Sequence, residues 1–394
     1  MKRISCLEKR YVLEVLSDEF RVSRNNVFNE RLEKEFAKVF RSKYAIGHVN
    51  GTATLHAALA ALDIGPDDEV IVPPLTMSSP ALAVLQNGSI PVFADVDRKT
   101  FTICPDSIKK CITSNTRAVI SVSLYGLAPD YNKILDICRA HKIHLIEDNA
   151  QCFLGKYKGR LVGEFGSFSS FSFQATKHMT CGEGGMLITR FEDLANKARK
   201  FSNLGYMGLN AKNGKISRND IQHPAYNRHG ILGFNYRLSE INAAVALGQL
   251  QRLKKLVEQR RRVADIFDKI VCEFPLVLIK QKEVKGCENS YWSYAVVLNT
   301  DVPEHDWHRF KKIFQKNGGD AYYAAWRLTY TEPLFLNNVQ KRDGVWQQYR
   351  QGLCPNAEYL QPRMIQLKTN YWNLSDARKQ ARILKETLKE FVKY

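Results

Sequence analysis

The sequence predicts an α/β fold, in which helices cover both faces of a mostly parallel sheet, followed by a smaller α+β domain. Three patterns carry this prediction. Between about residues 45 and 200, short apolar runs alternate with helical segments, as in parallel sheets with crossover helices. A continuous helical pattern then covers about residues 238–269, without Gly or Pro after Gly248. Beyond it the chain alternates between strand-like and helical stretches.

The parallel sheet is predicted from four apolar runs, each of which is next to a helical segment. Right-handed crossovers would align the strands, so that their carboxyl ends lie along one edge. Ligands of open α/β sheets bind at that edge. The runs cover residues 70–72, 91–94, 118–122 and 144–146, and the helical segments cover residues 55–62, 79–85 and 131–141.

The continuous helix over residues 238–269 is expected to bridge two domains. We assign residues 1–250 to a large domain and 251–394 to a smaller one, since 394 residues are long for a single compact core. In the smaller domain we expect a strand and two helices. The polar segment 208–230 predicts a long loop near the site or a subunit contact. The strand covers residues 294–298, and the helices cover 307–316 and 375–394.

The net charge of +18 predicts a field that attracts anions. Nucleic acid, a membrane surface, or an anionic substrate and cofactor are all compatible with it. The densest basic stretch, residues 252–262, predicts a solvated helix face. The sequence has no helix-turn-helix signature, zinc pattern or aromatic RNA-binding motif, which argues against a nucleic-acid partner.

The chain is expected to be cytoplasmic, without a membrane span or a metal site. No run of about 18 apolar residues is present, and the first ten residues become charged again too soon for a signal peptide. The nine cysteines are too scattered for a CxxC pair. We therefore interpret them as structural residues.

A single lysine, Lys177, stands between a β-rich run and a glycine-rich turn. The stretch 169–186 reads SSFSFQATKHMTCGEGGM. Desolvation at such a junction lowers the pKa of an amine and makes it a nucleophile toward an aldehyde. The glycines that follow would let the backbone pass close to a bound group. A surface lysine whose stem covers apolar groups is the alternative that the spacing leaves open.

Two acids, Glu147 and Asp148, directly follow the apolar run at residues 144–146. They would lie at the carboxyl edge of the sheet. A carboxylate there can pair with a protonated ring nitrogen and keep an electron-withdrawing ring charged. The alternative is a helix N-cap formed by Asp148.

Gly51 and Thr52 open an apolar helical segment. Free amides, a hydroxyl and the helix dipole at such a start suit a phosphate. Many helices begin with this pair, so the motif is weak by itself.

In their order and spacing, these three motifs resemble the DegT/DnrJ/EryC1/StrS sugar aminotransferases, within the fold-type I pyridoxal-phosphate enzymes. The resemblance runs from about residue 30 to 250, and more faintly to the segment 354–358. It implies a seven-stranded, mostly parallel sheet, pyridoxal 5'-phosphate as the cofactor, glutamate as the amino donor and a keto sugar as the acceptor. It also covers the segments PPLT (73–76), IPVFADVD (90–97), LYG (124–126) and GFNYRLSE (233–240).

The resemblance implies roles for single residues around the cofactor. Lys177 would hold it covalently and move the proton, and Asp148 would bind its pyridine nitrogen. Gln151 would contact the phenolic oxygen. Asn235 would reach the phosphate bound by the neighbouring subunit, so that a homodimer would share its active sites. The phosphate would otherwise be bound by Gly51, Thr52 and Ser172.

Two positions depart from the family's pattern, and one raises an alternative. Met77 stands where an aromatic residue usually stacks on the ring, and a thioether covers the ring less rigidly. Ser123 stands where a histidine is common. Dehydratase relatives carry histidine in place of the cofactor lysine. Lys177 therefore favours transamination, and the neighbouring His178 keeps a dehydratase as the alternative.

The substrate that the resemblance implies is a keto-deoxy sugar linked to a nucleotide, used for lipopolysaccharide, another cell-surface polysaccharide or a secondary metabolite. A free keto sugar acid of the oxidised octulosonate type is the alternative. Arg237 would bind a carboxylate by a bidentate contact or form a structural salt bridge. A nucleic-acid-binding regulator built on the same fold is the least favoured interpretation of the net positive charge.

Overall fold

The structure is a computed structural model and describes residues 2–20, 28–216, 218–337 and 349–393. The helices are α1 (Cys6–Ser17), α2 (Phe28–Val39), α3 (Gly51–Ala61), α4 (Ser79–Gln86), α5 (Pro105–Cys111), α6 (Tyr131–His141), α7 (Glu192–Phe201), α8 (Arg218–Gln222), α9 (Glu240–Leu250), α10 (Leu253–Val271), α11 (Pro303–Lys316), α12 (Pro333–Asn337), α13 (Pro355–Leu360) and α14 (Leu374–Phe391). The strands are β1 (Tyr44–His48), β2 (Glu69–Val72), β3 (Ile90–Phe93), β4 (Thr116–Val122), β5 (His144–Asp148), β6 (Lys156–Tyr157), β7 (Arg160–Leu161), β8 (Phe168–Ser172), β9 (Gly185–Thr189), β10 (Leu278–Lys280), β11 (Cys287–Glu288), β12 (Ser293–Leu298) and β13 (Met364–Lys368).

Seven strands form the large sheet, in the order β1-β9-β8-β5-β4-β2-β3. Within it, β9 runs antiparallel to β1 and β8, and every other pair of neighbours is parallel. The predicted α/β class with a mostly parallel seven-stranded sheet is therefore confirmed. Strands β1, β4, β5 and β8 all point their carboxyl ends to the same edge.

Helices cover both faces of this sheet, because the central strands present apolar side chains alternately to each side. On β5, Leu145 packs into one core and Ile146 into the other. The first core contains side chains of α2, α6 and α9, and the second contains side chains of α3, α4 and α7. Burial on two faces explains why the strands read as continuous apolar runs.

A three-stranded antiparallel sheet, in the order β10-β12-β13, follows later in the chain. It packs with α10, α11 and α14 around a separate apolar core that includes Val296, Phe310 and Leu384. The strand and the two helices predicted for this region are present. The division of the chain after residue 250 stays a prediction.

The prediction of one continuous helix over residues 238–269 is wrong. The chain forms α9 and α10, with a turn at Gln251 and Arg252 between them. The Arg252 guanidinium binds the carboxylate of Glu8 at 2.6 Å and the main-chain oxygen of Arg3 at 3.0 Å. These partners lie far away along the chain, so the helical composition of the segment gives no sign of the break.

The prediction that residues 252–262 form a solvated helix face is only partly right. Lys254, Lys255 and Arg262 are exposed, whereas Arg260 is 1% exposed. The segment is amphipathic, and one of its basic residues lies on the inner side.

The predicted loop over residues 208–230 contains α8, and residue 217 lies outside the described residues. Among the residues that the structure describes, none of the helices combines the length and the apolar composition needed to span a membrane.

Candidate active site at the carboxyl edge of the sheet

A cavity of about 580 Å³ opens at the carboxyl edge of the seven-stranded sheet. The start of α3, the end of β5 and the loop after β8 form one part of its wall, and residues at β12 and β13 form another. Cavities of this size hold small-molecule cofactors and substrates. Seven of the nine predicted site residues line it: Gly51, Thr52, Met77, Asp148, Gln151, Ser172 and Lys177.

Lys177 is buried in this cavity, so the alternative of a surface lysine is wrong. Its side chain is 8% exposed, and its Nζ lies 4.5 Å from the centroid of the Trp292 ring. Burial lowers the pKa of the Lys177 amine to about 8. The carboxylates of Asp148 and Glu183 oppose this shift, whereas Arg260 adds to it. Part of the amine is therefore neutral, and hence nucleophilic, near neutral pH.

Asp148 ends β5 and is 5% exposed. Its Oδ1 accepts a hydrogen bond from the main-chain N–H of Ala150 at 3.0 Å. Burial raises the pKa of the carboxyl, and the Ala150 amide and Lys177 act in the opposite direction. No helix begins here, since the chain turns through residues 149–155 to β6, so the alternative of an N-cap is wrong. A cation in the cavity would stabilise this buried carboxylate.

The carboxylate of the neighbouring Glu147 is held by hydrogen bonds within the fold and does not face the cavity. Its carboxylate accepts hydrogen bonds from the main-chain N–H groups of Gly163, Phe165 and Gly166, at 2.7–2.8 Å. The side-chain amide of Asn149 donates another at 3.2 Å. Of the two acids that follow the apolar run, only Asp148 lines the cavity.

Gln151 is held in a fixed orientation at the cavity wall. Its Oε1 accepts a hydrogen bond from the main-chain N–H of Tyr125 at 2.8 Å, and the residue is 2% exposed. This hydrogen bond fixes which end of the side-chain amide is the oxygen, and the Nε2 group has no acceptor among the described residues. It is available as a donor to an oxygen of a bound group.

The start of α3 and the end of β8 form a cradle that suits a phosphate. A Cβ placed on Gly51 would lie 2.9 Å from the Cβ of Ser172, so only glycine leaves this space open. Asn50 caps the Ala53 N–H, whereas the N–H groups of Gly51 and Thr52 have no acceptor in the described part of the chain. The Ser172 hydroxyl accepts from the N–H of Gln174 and keeps its own hydrogen to donate.

Met77 lines the cavity but remains 49% exposed, at its outer side. Asn235 and Arg237 do not line the cavity of their own chain, and both are exposed. Their backbones form isolated bridges with Asn203 and His48, respectively. The position of Asn235 is compatible with contact to a second chain, and its role stays a prediction.

His178, next to the lysine, does not line the cavity. It is fully buried, and its Nε2 forms a hydrogen bond with the main-chain oxygen of Ser290 at 2.9 Å. Ser123 is also fully buried, and its hydroxyl donates to Asn149 at 2.7 Å. Both side chains are therefore buried and hydrogen-bonded within the protein, away from the cavity.

Sequence reasoning missed the part of the cavity wall that comes from late in the chain. Arg260, Trp292, Tyr323, Trp326, Gln366, Lys368 and Asn370 belong to it. These residues follow no motif and no local periodicity, and only the docking of the three-stranded sheet brings them to the cavity. The basic stretch around Arg260 was visible in the sequence, but its composition favoured the solvated interpretation.

The residues present fit pyridoxal 5'-phosphate. A cradle of free N–H and hydroxyl donors suits its phosphate, and a buried amine of lowered pKa suits its aldehyde. A buried carboxylate suits its protonated ring nitrogen. All three line one cavity.

Comparison with known proteins agrees with the family resemblance of the sequence motifs. The sequence profile of the DegT/DnrJ/EryC1/StrS aminotransferase family matches residues 3–385. The chain is 35% identical over 336 residues to GDP-perosamine synthase of Escherichia coli O157:H7, with 85% of each protein covered. It is 33% identical over 354 residues to a pleiotropic regulatory protein of Geobacillus stearothermophilus, with 89% of this chain and 87% of that protein covered.

A solved structure, the aminotransferase from Psychrobacter cryohalolentis, superimposes with a TM-score of 0.86 at 27% identity. The superposition covers 99% of this chain and 98% of that one. The seven-stranded sheet and the three-stranded sheet thus both lie within the matched region.

Proposed function

The chain belongs to the DegT/DnrJ/EryC1/StrS aminotransferase family, and from this premise we propose that it transfers an amino group from glutamate to a keto-deoxy sugar linked to a nucleotide diphosphate. It is a sugar aminotransferase that depends on pyridoxal phosphate. The amino donor, the form of the sugar and the roles of single residues are the proposal.

The observation that carries the proposal is the meeting of Lys177, Asp148 and the Gly51–Ser172 cradle in one cavity. These residues come from three separate segments of the chain. An amine, an acid and a phosphate site are the groups that transamination needs on the protein side.

When bound, pyridoxal phosphate supplies an aldehyde that accepts amines and a ring that draws electrons away from the substrate carbon. Lys177 would hold the aldehyde carbon, and its amine would carry a proton to and from the substrate carbon. Its lowered pKa suits this task, because a base whose pKa lies near the working pH exchanges protons efficiently. Asp148 would keep the ring nitrogen protonated by charge pairing.

The remaining residues of the cavity would bind and orient. Gln151 would donate from Nε2 to the phenolic oxygen, since its own oxygen is already bound to the Tyr125 N–H. Ser172 would donate its hydroxyl hydrogen to the phosphate together with the N–H groups at the start of α3. Met77 would cover one face of the ring.

A nucleotide-linked sugar is supported by charge and by kinship. The chain has a net charge of +18, and a diphosphate is an anion that such a field attracts. The Escherichia coli relative is named GDP-perosamine synthase, and this name refers to a sugar joined to guanosine diphosphate. We propose a place in the biosynthesis of a cell-surface polysaccharide or a secondary metabolite.

The working unit that we propose is a homodimer that shares its active sites. Asn235 is exposed and lies outside the cavity of its own chain, as a residue that serves the neighbouring site would be. Large apolar side chains just before it are exposed as well, with Leu232 at 85% and Ile231 at 47%. Exposed apolar groups of this kind are typical of subunit contacts.

The experiment that tests the proposal is a substrate screen read by mass spectrometry. The purified protein with pyridoxal phosphate and glutamate is offered keto-deoxy sugars linked to guanosine, thymidine or uridine diphosphate, and a free keto sugar acid. We expect an amino sugar and 2-oxoglutarate in equal amounts with a nucleotide-linked sugar. Amination of the free acid alone would contradict the proposed substrate, and a deoxygenated product without 2-oxoglutarate would contradict transamination.

A further inference from the structure

The guanidinium of Arg260 lies buried against the peptide that carries Lys177. Its Nη2 donates to the main-chain oxygens of Thr176 at 2.9 Å and Lys177 at 3.2 Å. Its Nη1 donates to the main-chain oxygen of Trp292 at 2.8 Å and to the hydroxyl of Thr369 at 3.0 Å. Arg260 is 1% exposed, and no carboxylate of the described residues pairs with it.

These four hydrogen bonds join two parts of the fold. Thr176 and Lys177 belong to the loop after β8, in the large sheet, whereas Trp292 precedes β12 and Thr369 follows β13. We propose that Arg260 is a positioning residue for Lys177, whose peptide it clamps against the three-stranded sheet so that the amine is fixed in the cavity. This inference rests on the proposed role of Lys177 as the residue that holds the cofactor.

Other donors hold the same two carbonyl groups. The indole Nε1 of Trp292 donates to the Thr176 oxygen at 3.1 Å, and the guanidinium of Arg3 donates to the Lys177 oxygen at 3.2 Å. The main chain at Lys177 is therefore fixed from the N-terminal segment, from α10 and from the start of β12. Among the described residues, only Arg260 contacts both carbonyl groups together with the residues next to β12 and β13.

The charge of Arg260, and not only its hydrogen bonds, acts on the Lys177 amine. A buried cation without a counter-charge is costly, and an apolar side chain of similar volume avoids that cost. Burial lowers the pKa of Arg260 itself to about 9, so the group is still charged at neutral pH. Its charge lowers the pKa of the Lys177 amine, which favours the neutral, nucleophilic form.

The other charges that face the Lys177 amine act in the opposite direction. Asp148, at the end of β5, and Glu183, before β9, both raise its pKa, and burial is the largest cause that lowers it. Arg260 is the only cation of the described residues that adds to the lowering. Removal of its charge should therefore raise the pKa of the amine.

Arg261 offers a matched control on the same helix. Its guanidinium also donates to two main-chain oxygens, those of Asn289 at 3.0 Å and Leu154 at 3.1 Å. Neither belongs to the loop that carries Lys177, and Arg261 does not line the cavity. Arg261→Met removes these two hydrogen bonds, together with an ion pair to Glu288 at 3.8 Å, without touching the proposed clamp.

The first measurement uses the protein without its cofactor. A trace of acetic anhydride labels the Lys177 amine as a function of pH, and peptide mass spectrometry gives the midpoint of the labelling curve. For Arg260→Met we expect a midpoint roughly one pH unit above that of the parent protein, the size of effect that a nearby charge produces. Arg260→Lys, which keeps the charge, should stay near the parent, and so should Arg261→Met.

The second measurement follows the absorbance change when pyridoxal phosphate is added and becomes covalently attached. Arg260→Lys loses the fork that binds several acceptors at once, so the attachment rate should fall about tenfold. Thr369→Val removes one acceptor of the clamp and should slow attachment by less than Arg260→Lys does, whereas Thr369→Ser keeps the acceptor and should leave the attachment rate unchanged. The Thr369 variants test the clamp if Arg260→Met does not fold.

Parent-like labelling midpoints and attachment rates in Arg260→Met would overturn the inference. If that variant does not fold, parent-like attachment rates in both Arg260→Lys and Thr369→Val would overturn it. Failure of the proposed function gives a different result, because borohydride would then fix the cofactor of the parent protein to a lysine other than Lys177. If the parent is labelled at Lys177 and the Arg260 variants behave like Arg261→Met, only the positioning role is refuted.

Discussion

Gly51 at the start of α3 and Ser172 at the end of β8 lie so close that a Cβ on the glycine would stand 2.9 Å from the Cβ of the serine. The two residues are separated by 121 positions in the sequence. They meet because β1 and β8 both end at the carboxyl edge of the sheet, and α3 begins just after β1. Their contact leaves room for nothing larger than a hydrogen on Gly51.

Gly51→Ala should weaken the binding of pyridoxal phosphate. The added methyl group enters the cradle, and overpacking of this kind costs about 1–3 kcal/mol, so the Kd should rise roughly 5- to 150-fold. Titration of the cofactor-free protein by fluorescence measures the change. Gly65→Ala is the control, because a Cβ there has no neighbour within 4 Å and should leave the Kd unchanged. Equal affinities of the two variants would refute the cradle.

The two neighbouring acids should separate function from stability. Asp148→Asn should lower kcat roughly 100-fold or more, since it removes the charge that we propose pairs with the ring nitrogen. It should change Tm little. Glu147→Gln should lower Tm, with a loss of about 2–4 kcal/mol in the free energy of unfolding, because its new NH2 group faces two donors, either those of Phe165 and Gly166 or those of Gly163 and Asn149. Kinetics and thermal unfolding of both variants check this, and a reversed pattern would contradict the assignment.

The buried amine should make the cofactor-free protein less stable at neutral pH. Folding lowers the pKa of Lys177 from 10.5 to about 8, which corresponds to about 3 kcal/mol. The cost is complete below pH 8, fades as the pH rises from 8 to 10.5, and is absent above. Lys177→Met should therefore stabilise the cofactor-free protein at pH 7 and not at pH 11. Urea unfolding at the two pH values measures it, and equal gains at both would contradict a buried, titrating amine.

Shared active sites should appear in mixed dimers. Lys177→Ala and Asn235→Ala homodimers should both be impaired, the first completely and the second through a weaker hold on the phosphate. A mixed dimer of the two variants contains one site with neither defect, so activity should return to about half the parent value per dimer. The activity of co-expressed, doubly tagged dimers measures this. Activity no higher than that of the Asn235→Ala homodimer would refute the shared site.

Local patterns were sufficient for the groups that stand at the ends of strands. Asp148 ends a strand and Gly51 begins a helix, so each carries a signature within a few residues, whereas Ser172, which also ends a strand, was predicted from the family resemblance. Parallel topology then brings these ends together, which is why the cavity wall around Lys177 could be predicted. The fold class followed from the same alternation of apolar runs and helical segments.

The parts that could not be predicted depend on contacts between distant segments. Arg260 looks like a solvated residue in a basic helix, yet its guanidinium binds carbonyl groups at Lys177 and Trp292. The break between α9 and α10 coincides with Arg252 reaching Glu8. Neither contact changes the local composition, so no pattern in the neighbouring residues could indicate it.

Borohydride reduction of the loaded protein, followed by peptide mapping, shows whether Lys177 holds the cofactor. Lys368, the other lysine of the cavity wall, is the control. We expect the reduced cofactor on Lys177 of the parent protein, label at the same place in Lys368→Ala, and no label in Lys177→Ala. Label on a different lysine of the parent protein, or covalent attachment in Lys177→Ala, would contradict this expectation.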